Sequence, residues 1–87
     1  MAEREKIGSV FSYFANIGVA AISLSDAGLS VGDRIQIQGA TTDVAFTVDS
    51  MQVDRESIQT AAKGQSVGIK VPDRVRPNDE VYRIVGE

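Results

Sequence analysis

Three short chain reversals, each running straight into a β-branched apolar residue, constrain the fold of this chain more than any other feature. The fullest is Leu29-Ser30-Val31-Gly32-Asp33-Arg34-Ile35-Gln36-Ile37-Gln38-Gly39. Gly32 supplies the backbone freedom a tight turn needs, and the Asp33 carboxylate is placed to fold back onto nearby main-chain amides. Ile35 and Ile37 then share one face, with Arg34, Gln36 and Gln38 on the other, the period of a half-buried strand. The pattern returns in Ala61-Ala62-Lys63-Gly64-Gln65-Ser66-Val67 and in Val75-Arg76-Pro77-Asn78-Asp79-Glu80-Val81. The turn cores are Gly32-Asp33, Gly64-Gln65 and Asn78-Asp79. Each is followed two residues later by Ile35, Val67 or Val81. A chain punctuated in this way is expected to be a compact all-β module.

The intervening segments fit that class. Residues 1–5 read as a charged, flexible lead-in and 6–87 as a single barrel domain. Lys6 to Phe14 reads as a strand with apolar side chains on both faces, covered on both sides or twisting sharply at Gly8. Ala15-Asn16 reads as a turn with Asn16 left-handed, and Ile17 to Leu24 as the return strand. Gly18 and the β-branched Ile17, Val19 and Ile22 weigh against a helix there. Leu29, Val31 and Val75 are expected to plug the ends of the barrel. Val44, Phe46 and Val48 share a face that Met51 and Val53 continue one residue out of phase. A single long strand with a bulge near Asp49-Ser50 would reconcile the two. Ile58 is expected to anchor a loop, with Ala61 and Ala62 at small packing sites and one helical turn an option over 55–62. Val67, Ile69 and Val71 alternate with Ser66, Gly68 and Lys70 until Pro72 stops the strand. Val81 to Val85 forms the last. Six or seven short strands at this spacing predict a small closed antiparallel β-barrel, because an open sheet would leave its edges exposed to other chains.

Composition removes whole classes of chemistry. The 87 residues hold no cysteine and no histidine, so thiolate chemistry, disulfides and the commonest general base and metal ligand are absent. Nine basic against twelve acidic residues weigh against sequence-independent nucleic-acid binding, though not against a local basic patch. No apolar run approaches the roughly 18 residues a membrane helix needs. The start, Met1-Ala2-Glu3-Arg4-Glu5-Lys6, alternates charge where a signal peptide would carry an apolar core. A cytoplasmic chain without membrane contact is the expectation.

Asp26, Asp33, Asp43 and Asp79 all stand in turn contexts and read as turn-bonding side chains, not paired catalytic carboxylates. No Gly-x-Ser-x-Gly elbow and no Ser-x-x-Lys pair is read in the chain, so a serine nucleophile is not expected. Gly64 to Lys70 is faintly glycine-rich but lacks the spacing of a phosphate loop and enters a strand, not a helix. Gly64 is read as a turn and Gly68 as a place of close strand packing. No cofactor and no metal is expected. Lys70, Arg74 and Arg76 form a modest basic cluster, which reads either as a solvated loop of mixed charge or as a shallow contact for a phosphate backbone or partner. Phe11, Tyr13, Phe14, Phe46 and Tyr82 could stack on bases, but most are expected in the core, with Tyr13 and Tyr82 facing solvent.

The series Ile7-Gly8-Ser9-Val10, Ile17-Gly18-Val19-Ala20, Leu29 to Ile37, Val48 to Val53 and Ala62 to Ile69 resembles the second domain of translational GTPases such as elongation factor Tu. That resemblance implies a closed barrel descended from a module that contacts tRNA or the ribosome. A similar barrel ends some U32-type peptidases. No phosphate loop and no Asn-Lys-x-Asp is present, so nucleotide hydrolysis is not expected of this chain. The function expected is therefore a non-catalytic, translation-related binding module for RNA (tRNA or rRNA) or a protein, with Lys70, Arg74, Arg76 and Tyr82 as candidate contacts. The alternative is an accessory substrate-binding subunit for a separately encoded enzyme, such as a U32-type peptidase or an RNA-modifying relative. A structural homo-oligomer is a third reading.

Overall fold

The computed structural model describes residues 3–54 and 56–85. Ten strands follow in chain order: β1 Glu3–Phe14, β2 Val19–Ser23, β3 Leu29–Ser30, β4 Arg34–Gln38, β5 Asp43–Thr47, β6 Met51–Val53, β7 Glu56–Ile58, β8 Thr60–Ala61, β9 Ser66–Lys70 and β10 Glu80–Val85. Eight of them form one antiparallel sheet in the order β5-β4-β10-β1-β2-β9-β6-β7, and β3 pairs with β8 in a second, two-stranded sheet. The all-β class is as the sequence predicts. The closed barrel is not: β5 and β7 stand at the two ends of the ladder, and no pairing joins them among the described residues. The chain that lies across from β5, residues 71–79, is irregular and carries Pro72 and Pro77. A proline has no N–H to give to a ladder, so this stretch does not extend the sheet.

The three reversals are built alike. Gly32 (φ 98°), Gly64 (φ 94°) and Asn78 (φ 76°) all take the left-handed backbone. In each turn the residue after it donates its N–H to the carbonyl three residues back: Asp33 to Ser30, Gln65 to Ala62, Asp79 to Arg76. The side chain of that same residue returns the bond. Asp33 Oδ2 accepts from Ser30 N–H at 3.0 Å, Gln65 Oε1 from Ala62 N–H at 2.7 Å, and Asp79 Oδ2 from Arg76 N–H at 2.8 Å. Positive φ at the third position, with Pro77 at the second of one copy, marks these as type II turns.

Each turn is then clamped to a distant buried residue by two main-chain bonds. Gly32 N–H donates to Val48 O at 2.8 Å, and Val48 N–H to Asp33 O at 2.9 Å. Gly64 and Gln65 hold Leu24 in the same way, at 2.6 and 2.9 Å. Asn78 and Asp79 hold Val10, at 2.7 and 2.8 Å. Val10, Leu24 and Val48 are all buried, as are Leu29, Ala61 and Val75 just before the turns and Ile35, Val67 and Val81 just after. Chain reversal, main-chain satisfaction and core packing are thus one device used three times. Buried main-chain groups must find partners, and here the turns supply them to the core.

Several sequence expectations need correction. β1 starts at Glu3, because Glu3, Arg4 and Glu5 pair with Val85, Ile84 and Arg83 of β10. The register of β1 slips at Ile7 against β10 and at Phe11 against β2, so this strand carries two bulges and its alternation changes phase twice. At Gly8 the backbone of Ser23 is so close that a Cβ would stand 1.9 Å from the Ser23 carbonyl oxygen. The hairpin turn after β1 covers residues 15–18 with Gly18 left-handed (φ 67°), so Ile17 lies in the turn and β2 begins at Val19. Residues 43–53 are not one bulged strand. β5 pairs with β4, the chain leaves the sheet at 48–50, and β6 pairs with β9 and β7. The phase slip between Val48 and Met51 marks that crossing. No helical turn forms in 56–61, where β7 and β8 stand instead, and Ala62 is exposed.

Candidate functional site

Among the described residues, a broad concave feature lies on the outer face of β1, β2, β9 and β6. The register places Ser12, Ala21, Gly68 and Gln52 in one row across these strands. Small side chains at Ala21 and Gly68 keep the sheet surface low, and a Cβ on Gly68 would touch Val19 Cγ1 at 3.3 Å. Around this floor stand Phe11, Phe14, Ile17, Val19 and Val53, enclosing an apolar trough of about 530 Å³. Phe11 is 54% exposed, Phe14 46% and Ile17 59%. Phe11 faces out because it is the extra residue of the second β1 bulge, and Ile17 because it caps the hairpin. Bulges of this kind re-aim a side chain at the cost of one ladder position.

This overturns the expectation that most aromatic rings lie in the core. Phe46 and Tyr13 pack against the core, whereas Phe11 and Phe14 do not. The sequence signal was present in the out-of-phase apolar residues of Lys6–Phe14, but a bulge could not be placed without the partner strand. Asp54, Gln52 and Ser66 complete the lining of this exposed apolar cluster.

The residues singled out from sequence fall in two places. Arg74 and Arg76 line one cleft of about 280 Å³ together with Thr41, Thr42, Asp43, Val44 and Asp73. Lys70 lines the adjoining cleft of about 340 Å³ with Phe46, Thr47, Asp49, Val71 and Pro72. Tyr82 lies apart, in the middle of β10. The Arg4 guanidinium stacks over its ring at 4.5 Å, and its hydroxyl donates to the Glu80 carboxylate at 3.2 Å. Arg4 also donates to Gln36 and Gln38 at 2.9 Å, so Tyr82 belongs to a surface network, not to the basic cluster.

The expectation of no Gly-x-Ser-x-Gly needs correction at the level of pattern, because the run Gly64-Gln65-Ser66-Val67-Gly68 spells it. Its setting is different from an elbow. Ser66 opens β9 and pairs with Ser23, and the residues after it form a strand, not the helix that the motif requires. Gln65, beside it, is occupied with closing the turn. Among the described residues no group of three or more carboxylates is placed to hold a metal, and no helix is long and apolar enough to cross a membrane.

Comparison with known proteins sets this surface in context. No protein-family model matches the chain. Two Porphyromonas gingivalis proteins named collagenase match it at 38% identity over 94% of the chain and at 34% over 93%. An uncharacterised protease of Methanocaldococcus jannaschii matches at 40% over 88%. The chain spans about a fifth of the length of these relatives, 20%, 23% and 19% respectively. Its fold matches the C-terminal domain of a Geobacillus thermoleovorans protein assigned to the U32 peptidases. The TM-score is 0.83 at 18% identity, covering 91% of both chains. The selenomethionine form of that domain gives 0.82 at 20%, covering 88% of this chain and 96% of the other.

These matches correct the resemblance to elongation-factor barrels and the translation-related role it implied. The segments that carried that resemblance are the turn-into-strand units at 29–37 and 62–69. They encode a type II turn with a returning side chain, a requirement of main-chain geometry that says nothing about translation. The chain is homologous to a part of the collagenase and protease sequences, and its fold is that of the C-terminal domain of a U32-type peptidase.

Proposed function

We propose that this chain is a non-catalytic accessory module of U32-type peptidases, and that its Phe11–Phe14–Ile17 trough seats against the peptidase core. The observation that carries this reading is the trough itself. Three large apolar side chains are held in solvent by a bulge and a hairpin turn, in a chain that otherwise buries its apolar residues well. Exposing them costs hydrophobic free energy, roughly 25 cal/mol for each Å² that a partner could cover. The occupant follows from proportion: relatives carry about four fifths of their length outside the region this chain matches. With neither histidine nor cysteine and with Ser66 in a regular strand, the module's contribution is to hold core or substrate in place.

The test is a titration of the chain against a U32-type peptidase core from the same organism. Phe14→Asp should weaken association at least tenfold while leaving the urea midpoint of the chain unchanged, since Phe14 is outside the core. Equal affinity of the variant and the parent chain would reject the trough as the docking face.

A further inference from the structure

The free edge of β5 faces a cleft, and we infer that this cleft takes an extended, acidic peptide as an added strand. The inference rests on the accessory reading above but uses different elements of the molecule. Among the described residues β5 pairs with β4 and with no other strand. Which of its groups are satisfied follows from the parity of the ladder. Gly39 N–H donates to Thr42 O and Val48 N–H to Asp33 O, so the closely bonded pairs are Ile37 with Val44 and Ile35 with Phe46. The N–H and C=O groups of Asp43, Ala45 and Thr47 therefore point away from β4, out of the sheet.

Opposite this edge runs the irregular segment from Lys70 to Arg76. The two clefts lie end to end between them. One is bounded by Phe46 and Thr47 on the β5 side and by Lys70, Val71 and Pro72 on the other. The next is bounded by Asp43 and Val44 and by Asp73, Arg74 and Arg76. The segment 70–76 thus passes β5 in the opposite direction without pairing to it. An extended peptide laid beside β5 would satisfy main-chain groups that the fold leaves unpaired, the chemistry of strand addition.

Charge selects the kind of peptide. Among the described residues Lys70, Arg74 and Arg76 make no ion pair. The two clefts also carry the carboxylates of Asp43, Asp49 and Asp73, and the two beside the arginines are hydrogen-bonded, so the preference rests on the guanidinium forks of Arg74 and Arg76. Asp43 accepts from Gln36 Nε2 at 2.7 Å, and Asp73 from Arg74 N–H at 2.8 Å. Unpaired guanidinium groups favour a carboxylate, which they grip through two parallel N–H bonds.

The probe is a blocked heptapeptide of alternating valine and glutamate, compared with its valine–lysine counterpart and with a form N-methylated on alternate amides. The glutamate peptide should slow hydrogen exchange at Ala45 and Thr47, and bind at least tenfold tighter than the other two. Ala45→Pro removes an outward N–H that no ladder bond uses, so the fold should survive and binding should fall at least tenfold. Arg74→Glu with Arg76→Glu serves as a second variant, expected to reverse the preference between glutamate and lysine peptides. Unchanged exchange at Ala45 and Thr47 under saturating glutamate peptide would overturn the inference. So would equal binding of the N-methylated form, or displacement of the peptide by a short oligonucleotide at equal concentration. Phe14→Asp, which tests the trough, should leave this peptide binding intact, so the two readings fail independently.

Discussion

At the scale of single residues, the fold separates two reasons for glycine. Gly8 has no room: a Cβ there would collide with the Ser23 carbonyl. Gly32 has ample room, with nothing within 4 Å of a Cβ, but its φ of 98° is one that side chains disfavour. Gly8→Ala should therefore destabilise by about 3 kcal/mol or abolish folding, as overpacking against backbone does. Gly32→Ala should cost only about 1–2 kcal/mol, and Gly32→Asn less, because asparagine tolerates the left-handed region. Urea denaturation of the three variants checks the order. Asp79→Ala should cost about 1–3 kcal/mol, since it strips the Arg76 amide of a charged acceptor in a buried turn. Asp33 was readable as a turn-closing carboxylate from its place after Gly32. Gly8 was readable only as a suspect position, because a close approach belongs to two chain segments and Ser23 lies fifteen positions away.

At the scale of elements, the period-two pattern located the core wherever a strand is regular. Ile35 and Ile37, Val67 and Ile69, and Val81 are buried where alternation put them. It failed where the ladder slips or the chain changes partner: at the two β1 bulges, in the turn holding Ile17, and at the crossing between β5 and β6. Those events depend on which strand lies alongside, and local sequence does not carry that information. The trough was missed for the same reason, since Phe11 and Phe14 are exposed by the second bulge. The consequence is measurable. Replacing Phe11, Phe14 and Ile17 by serine should change stability by less than about 0.5 kcal/mol each, as for surface positions. Ile22→Ala or Ile37→Ala should each cost about 2–5 kcal/mol, because both side chains are fully buried. The β5 ladder gives a second contrast. Proline should be tolerated at Ala45 and destructive at Phe46, whose N–H is committed to β4. Circular dichroism and thermal melts of the two variants would show it.

At the scale of the whole molecule, the three turn clamps join parts of the chain that are far apart in sequence. Gly32 reaches Val48, Gly64 reaches Leu24, and Asn78 reaches Val10. None can open without exposing the core residue it holds, so the amides of Val10, Leu24 and Val48 should exchange only through global unfolding. The sheet is left open between β5 and β7, and the exposed apolar trough sits on other strands. One small core thus presents two separate outward surfaces, the apolar face we propose seats the peptidase core and the β5 edge we infer takes a peptide. The decisive measurement concerns the first. A photo-crosslinking amino acid placed at position 14 in cells making a U32-type peptidase, with a control at position 63, should join the module to the peptidase core at position 14 alone. Equal labelling of the core from both positions, or none from position 14, would contradict the account.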